Sequence, residues 1–260
     1  MDQNVIATEW DYIIIGTGMG GGTIGYALAK AGKKVLFLEK GEDYQNNPQA
    51  LKGNFLETFM SEKVGHGSDD DYRNAGRSNL EIWDVVKGKT LKLLLGSGTG
   101  GSTAIYGMAM ERLWPQDFEP KQYHPHADKD CSLPDKWPIT FAEIEPYYRQ
   151  AEWLYGVTST WPDLLRADQT FSYRPGPEPM PKTLRLMNAL KKRGYHPYLS
   201  PLALDWVPDC QFCQSFLCEK NCKNDAAKIC LAPAQKNFGA TLLTNCEVLR
   251  LDADEHRVGS

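Results

Sequence analysis

The chain has 260 residues, 42% of them hydrophobic, and a formal net charge of −4 at pH 7. This length is enough to bury the core of one large domain or two small ones. The acidic balance argues against nucleic acid and anionic membrane as partners, because both attract basic surfaces. The sequence has neither an apolar run long enough to span a membrane nor a secretory pattern at its start, so we expect a cytoplasmic protein with no transmembrane segment.

A glycine pattern between a strand and a helix lies near the start of the chain. Residues 11–15 predict a buried β-strand, and residues 23–31 predict a helix. Between them Gly16, Gly18 and Gly21 form G-x-G-x-x-G, which we call the first glycine loop. The first glycine permits a tight turn, the second leaves room for a pyrophosphate, and the third lets the helix pack closely on the sheet. The helix N-terminus then offers N–H groups to the phosphates.

An acidic residue completes the motif. Residues 34–38 predict a second apolar strand that ends on Glu39, at the spacing where a Rossmann-type domain places its ribose-binding carboxylate. A negative charge there disfavours a 2′-phosphate, which favours FAD or NAD over NADP. The sequence therefore predicts an α/β fold, a Rossmann-like FAD/NAD(P)-binding domain with a parallel sheet. The candidate cofactor-binding residues of this motif are Gly16, Gly18, Met19, Gly20, Gly21, Glu39 and Lys40.

The middle of the chain predicts irregular, loop- and helix-rich insertions. Residues 43–80 are rich in charged and small polar residues and predict a loop with a short helix at 50–60. The apolar run 91–95 enters a second glycine-rich segment at 96–112, GSGTGGSTAIYGMAMER. Proline density in residues 114–138 excludes a long helix there.

Four elements are expected in the second half of the chain. Thr140 followed by Glu143 forms a capping-box pattern that starts a helix running to about residue 154. The remaining sequence predicts helices at 183–193 and 225–237 and a strand at 241–251 that returns to the nucleotide sheet.

Four segments together resemble the glucose-methanol-choline oxidoreductases, flavoproteins that oxidise alcohols. They are the first glycine loop, residues 96–112, the phrase WPITFAEIEPYYRQAEWLYGV at 137–157 and the phrase NCEVLRLDA at 245–253. The resemblance covers essentially the whole chain, and the order and spacing of the four are more specific than any one of them. It implies FAD as the cofactor, an alcohol or sugar as the small-molecule substrate, and hydride transfer from the CH–OH carbon to the flavin.

The resemblance also implies cofactor contacts in the later segments. Residues near the phosphates and flavin are expected to be small, because the backbone must approach a large planar cofactor. The family usually has asparagine before glycine where this chain has Tyr106 and Gly107, so we expect Tyr106 to stack or hydrogen-bond in place of that amide. Val248 matches a position whose backbone faces the adenine. The implied set is Gly100, Gly101, Ser102, Thr103, Tyr106 and Val248.

Four cysteines form the pattern C-x2-C-x4-C-x3-C at Cys210, Cys213, Cys218 and Cys222. Thiolates are preferred ligands of iron–sulfur clusters and structural zinc, so the residues leave three alternatives: a cluster, zinc, or thiols and disulfides that brace the loop. Some sugar and polyol dehydrogenases of the family carry a three-iron (3Fe-4S) cluster in a corresponding region and pass electrons to a cytochrome subunit. That resemblance implies Cys213, Cys218 and Cys222 as iron ligands, with Cys210 as a candidate fourth. Long-chain-alcohol and sterol oxidase relatives also have cysteines before a stretch like 223–228, without an established electron-transfer role.

We expect three regions along the chain. Residues 1–112 form the first part of the FAD-binding domain, and residues 113–224 form a helical and loop insertion that carries the cysteines and begins the substrate or cap region. Residues 225–260 return to the FAD-binding domain. Family members continue further, so the resemblance implies an incomplete fragment, inactive alone, with the catalytic histidine beyond residue 260. No histidine of this chain lies in a stretch like the catalytic one; the five are His66, His124, His126, His196 and His256.

The leading hypothesis is FAD-dependent oxidation of an alcohol or sugar hydroxyl, with an electron-transfer subunit such as a cytochrome as one expected partner. A rival is a flavin and iron–sulfur electron-transfer module without substrate chemistry of its own. A third hypothesis is an NAD-dependent reductase. Flavin content separates the first two from the third.

Overall fold

The computed structural model describes residues 3–55, 68–123, 134–161, 163–252 and 255. Contacts divide the chain into two compact units, the first comprising residues 1–108 with 207–260 and the second residues 109–206. The domain boundaries expected from the sequence stay a prediction. The cysteines at 210–222 belong to the first unit, together with both glycine segments.

The helices and strands are numbered along the chain. The helices are α1 (Gln3–Ala7), α2 (Met19–Lys30), α3 (Asp69–Asn74), α4 (Pro120–Tyr123), α5 (Phe141–Leu154), α6 (Pro181–Lys191) and α7 (Ala232–Phe238). The strands are β1 (Tyr12–Ile15), β2 (Val35–Leu38), β3 (Arg77–Asp84), β4 (Lys89–Gly96), β5 (Val157–Thr158), β6 (Leu202–Ala203) and β7 (Thr241–Leu243). Short 3-10 helices span Gly101–Ala104, Pro115–Phe118 and Leu164–Arg166. No helix of the described residues is long and apolar enough to cross a membrane.

A parallel sheet in the order β1-β2-β7 organises the first unit. In its register Ile14 pairs with Phe37, and Phe37 pairs with Leu242. The central strand β2 is buried on both faces, as expected of a parallel strand covered by helices. This confirms the predicted Rossmann-like fold with a parallel sheet, in which the carboxyl ends of β1 and β2 place the first glycine loop beside Glu39.

Helix α2 begins at Met19, earlier than the residue 23 expected from the sequence. Glycine has low helix propensity, so the run at 20–22 suggested a turn. These glycines instead let α2 lie close to its neighbours. A Cβ added at Gly25 would collide with the ring of Phe37, and one added at Gly22 would lie 3.2 Å from the Cβ of Ala226. Packing against the sheet therefore outweighs local propensity.

Strands β3 and β4 form an antiparallel hairpin that the sequence analysis missed. The loop expected through residue 80 is wrong for residues 77–80, which begin β3. The strand begins with three polar residues, 77–79, which favoured a loop, and pairing with β4 satisfies its backbone. Residues 50–55 contain no helix, so the helix expected at 50–60 is wrong over that part, and residues 56–60 lie outside those described.

The elements of the second half follow the expectation more closely. Thr140 Oγ1 accepts a hydrogen bond from the Glu143 backbone, and Glu143 accepts one from the Thr140 backbone, so the predicted capping box starts α5. The helix expected at 225–237 begins with a π-helical turn, Ala227–Leu231, before α7. Strand β7 ends at Leu243, and residues 244–251 are not strand, so the expected strand at 241–251 is too long.

Candidate dinucleotide site

The three motif glycines differ in what the protein itself demands at each position. Gly16 has φ of +85°, a left-handed conformation that favours glycine. A Cβ added at Gly21 would collide with the Gly16 carbonyl oxygen, so packing excludes any side chain there. Gly18 has ordinary extended dihedrals, φ −64° and ψ −171°, and the nearest atom to an added Cβ is 4.0 Å away. Neither the backbone nor the packing of the described protein demands glycine at this position.

Free space at Gly18 is where the motif places a pyrophosphate. Gly18 is the N-cap of α2 and offers no side-chain cap, so the first N–H groups of the helix have no intrahelical acceptor. These donors and the positive end of the helix dipole favour an anion. The space left by the absent Cβ and the donor set of the helix therefore fit a dinucleotide phosphate.

Glu39 lies buried at the end of β2, beside the first glycine loop. Its Oε2 accepts hydrogen bonds from Thr17 N at 3.0 Å and Thr17 Oγ1 at 2.6 Å, and its Oε1 accepts one from Gly41 N at 3.0 Å. No basic side chain of the described residues forms an ion pair with it. A carboxylate has about four acceptor positions, so Glu39 retains capacity for a ribose hydroxyl. Its role as the ribose ligand stays a prediction.

The second glycine-rich segment packs directly on the first. A Cβ added at Gly101 would lie 3.0 Å from Gly18 Cα, and Gly100 N donates to Thr17 Oγ1 at 3.3 Å. Thr17 therefore links the carboxylate of Glu39 to the second segment through one hydroxyl. Sequence reasoning missed Thr17, because the motif leaves that position unspecified.

Two alanines before α7 pack against both glycine segments. A Cβ at Gly100 would lie 3.3 Å from Ala227, just as one at Gly22 would meet Ala226. Thr103 Oγ1 accepts from Ala226 N at 3.0 Å and donates to Gly100 O at 2.6 Å. Sequence reasoning missed the alanines too; the only signal was their small size within KNDAAK.

Tyr106 is held by the segment that follows the cysteines. Its hydroxyl donates to Asn224 O at 2.7 Å, and burial, followed by the charge of Asp225, raises the pKa of the phenol. Lys223 Nζ donates to Ala104 O at 3.0 Å and to Phe216 O at 2.9 Å. Burial lowers the pKa of Lys223 to about 8. The hydroxyl of Tyr106 is thus engaged by the protein, and the stacking of its ring on a flavin stays a prediction.

A cavity of about 260 Å³ opens beside the second glycine segment. Its wall includes Thr99 and Ala104 from that segment, and Asp225 and Ala227, which precede α7 in the chain. Burial raises the pKa of Asp225, against hydrogen bonds from the Lys228 and Ala227 backbones.

The other candidate residues differ in position. Met19 and Gly20 occupy the first turn of α2, and Ser102 is exposed in the short helix of the second segment. Lys40 is exposed after β2, and Val248 is half-buried beyond β7. The structure thus brings the glycines, Glu39 and Thr103 together, while the roles of Lys40 and Val248 stay predictions.

The thiols of the four clustered cysteines lie close together. Cys222 Sγ is 3.5 Å from Cys210 Sγ and 3.4 Å from Cys218 Sγ. Burial raises the pKa of Cys222 to about 12. Burial also acts to raise the pKa of Cys218, but hydrogen bonds from the Lys223 backbone and the Cys222 thiol lower it overall. Among the residues that the structure describes, no group of His, Cys, Asp or Glu has the arrangement of a metal site, so the expected iron–sulfur cluster is not supported.

Comparisons with known proteins agree with this geometry. A profile for NAD(P)-binding Rossmann-like domains matches residues 14–44. A 6'''-hydroxyparomomycin C oxidase of Streptomyces lividus is 28% identical over 253 residues, covering 94% of this chain and 42% of that protein. An oxygen-dependent choline dehydrogenase of Staphylococcus epidermidis is 29% identical over 196 residues, covering 72% of this chain and 30% of that protein.

A solved structure shows the same fold. The formate oxidase of Aspergillus oryzae superposes with a TM-score of 0.54 at 15% identity, over 96% of this chain and 40% of that one. These relatives are glucose-methanol-choline oxidoreductases, and the chain is similar to them over most of its length. This similarity supports FAD as the cofactor. The chain spans less than half the length of these relatives, and a cytochrome partner and a cytoplasmic location stay predictions.

Proposed function

We propose that this protein is an FAD-dependent oxidoreductase that acts on the CH–OH group of an alcohol or sugar, with its first unit holding the FAD. The observation that carries the proposal is the free space at Gly18, where glycine is not needed for the fold. Neither backbone strain nor packing explains a glycine there, whereas a phosphate beside the helix N-terminus does. The similarity to glucose-methanol-choline oxidoreductases supports flavin as the bound group.

FAD, when bound, supplies the acceptor for a hydride from the carbon that bears the hydroxyl. The residues of this chain bind and orient it. The α2 N-terminus at Gly18 would hold the phosphates, and Glu39 would accept hydrogen bonds from the ribose. The second segment, from Gly100 to Thr103, would provide the close backbone surface towards the flavin, with Tyr106 beside it.

Several relatives support CH–OH donors as the substrate class. Their names describe a 6'''-hydroxyparomomycin C oxidase, a choline dehydrogenase and a 2-methyl-1,2-propanediol dehydrogenase. The base that removes the hydroxyl proton is not assigned to a residue of this chain.

The cofactor is tested by denaturing the purified full-length protein and identifying the released nucleotide. We expect FAD, and Gly18→Val should lose it, because the added side chain would occupy the phosphate space. Ala27→Val adds side-chain atoms at an exposed position of the same helix, so this control should keep its FAD. Recovery of NAD and no flavin would contradict the assignment.

The activity is tested separately, on the flavin-loaded full-length protein. Turnover of an alcohol or aminoglycoside hydroxyl with a dye as electron acceptor is the expected result. A protein that holds FAD but reduces it with none of a panel of primary alcohols, polyols and sugars would instead be an electron-transfer module.

A further inference from the structure

The four cysteines of the first unit make contacts in an order different from their order in the chain. Cys210 contacts Cys222 at 3.5 Å, and Cys222 contacts Cys218 at 3.4 Å. The Cys213 thiol is a neighbour of the Cys218 thiol, and each of the two shifts the pKa of the other. The spatial order is therefore 210, 222, 218, 213, which we call the thiol row. All four are free thiols in this structure.

Contacts of this length bring sulfur atoms close to covalent reach. Two hydrogen-bonded thiols need to approach from about 3.5 Å to about 2.05 Å to form a disulfide, a change that side-chain rotation and small loop movement supply. Among the described residues, no group of His, Cys, Asp or Glu has the arrangement of a metal site.

We propose that the thiol row is a reversible redox centre that forms two disulfides, Cys210–Cys222 and Cys213–Cys218. This is the pairing that uses all four thiols and joins each of them to a neighbour in the row. The central contact between Cys222 and Cys218 would leave the two end thiols without a neighbour to join. The inference is independent of the proposed FAD function.

Two of the four thiols are accessible, and two are buried. Cys218 lines the cavity of about 260 Å³ and is partly exposed, as is Cys210. Cys213 and Cys222 are buried. Each proposed disulfide thus joins one accessible thiol to one buried thiol, which is the arrangement of an attacked cysteine and its resolving partner.

A peroxide is the oxidant that this arrangement fits, because it is small enough to reach Cys218 through the cavity and the partly exposed Cys210 from solvent. The accessible thiol takes one oxygen from hydrogen peroxide and becomes a sulfenic acid, with release of one water. The buried thiol then attacks that sulfur, the S–O bond breaks, and a second water leaves as the S–S bond forms. Each disulfide consumes two thiols and one peroxide, so the sulfurs lose two electrons and the peroxide gains two.

The test counts thiols in the full-length protein with a maleimide reagent under denaturing conditions. Mild hydrogen peroxide should remove four thiols per chain, and dithiothreitol should restore them. Peptide mapping should find Cys210 joined to Cys222 and Cys213 joined to Cys218.

Variants make the pairing falsifiable. Cys222→Ser and Cys218→Ser should each lose only two thiols on oxidation, with the other disulfide intact. Cys246→Ser, a cysteine outside the row, should still lose four. The proposal would be overturned by a single Cys218–Cys222 disulfide, or by a loss of thiols that dithiothreitol does not reverse. It would also be overturned if peroxide removed no thiols, or if one bound zinc or iron per chain protected them.

Discussion

Two buried carboxylates, one in each unit, are satisfied in different ways. Glu152 of the second unit meets Arg112, with Oε1 2.6 Å from Nε and Oε2 2.8 Å from a terminal nitrogen. Ser172 N also donates to Glu152, at 2.8 Å, and the guanidinium lies 4.4 Å from the Phe171 ring centre. Glu39 of the first unit is held by neutral donors from Thr17 and Gly41.

The difference separates a structural carboxylate from a candidate ligand group. Both charged partners of the Arg112–Glu152 pair are buried, with side-chain exposures of 1% and 3%, so the pair balances two charges inside the protein. Glu39 is instead held by hydrogen bonds from Thr17 and Gly41, beside the first glycine loop. A buried carboxylate in an ion pair indicates a structural role, whereas one held by neutral donors beside the loop keeps acceptor positions for a ligand.

Removing Glu152 should produce the largest loss of stability. Glu152→Ala leaves the Arg112 guanidinium buried without its carboxylate, which costs about 3–5 kcal/mol. Urea unfolding of the full-length protein measures this. Glu145→Gln is the control, because its carboxylate is 3.7 Å from another Arg112 nitrogen and partly exposed, and it should cost less than about 1 kcal/mol. Equal losses of stability in the two variants would show that the buried Arg112–Glu152 pair is not what balances these charges.

Within the first glycine loop, Gly21 is the position where we expect a substitution to lower the stability of the fold. Gly21→Ala puts a Cβ against the Gly16 carbonyl oxygen, and overpacking of this kind costs about 1–3 kcal/mol. Gly20→Ala has no atom within 4 Å of the added Cβ, and alanine favours the helix, so this control should gain up to about 1 kcal/mol. Thermal unfolding of the two variants measures the change in stability. A Gly21→Ala protein as stable as the unchanged protein would show that the loop can move away from the added Cβ without cost.

Replacing Glu39 should affect stability least and binding most. Glu39→Gln puts an NH₂ group opposite Thr17 N–H or Gly41 N–H, which removes a hydrogen bond worth about 1 kcal/mol. We expect FAD affinity to fall about tenfold, equivalent to about 1.4 kcal/mol. Titration of the flavin-free protein with FAD, followed by fluorescence, measures it. Glu42→Gln, a partly exposed neighbour, should bind FAD normally, and unchanged affinity in Glu39→Gln would remove this carboxylate from the ribose site.

Local patterns predicted those parts of the fold whose causes lie within a few residues. The Thr140–Glu143 capping box needs only a helix start, and it forms as expected. The first glycine loop and Glu39 follow from a strand, a turn and a helix at fixed spacing. Strands β3 and β4 were missed because pairing across the hairpin decides them.

The sequence by itself determined that a glycine loop, a helix N-terminus and an acid at the end of β2 meet in one place, because short segments impose that geometry. Only the tertiary structure decided why each glycine is there. Gly21 is constrained by a neighbouring carbonyl and Gly18 by no protein atom, a distinction that depends on which backbone atoms approach in space. The order of the thiol row has the same origin, since the fold of residues 210–222 places the first and last cysteine of the pattern side by side.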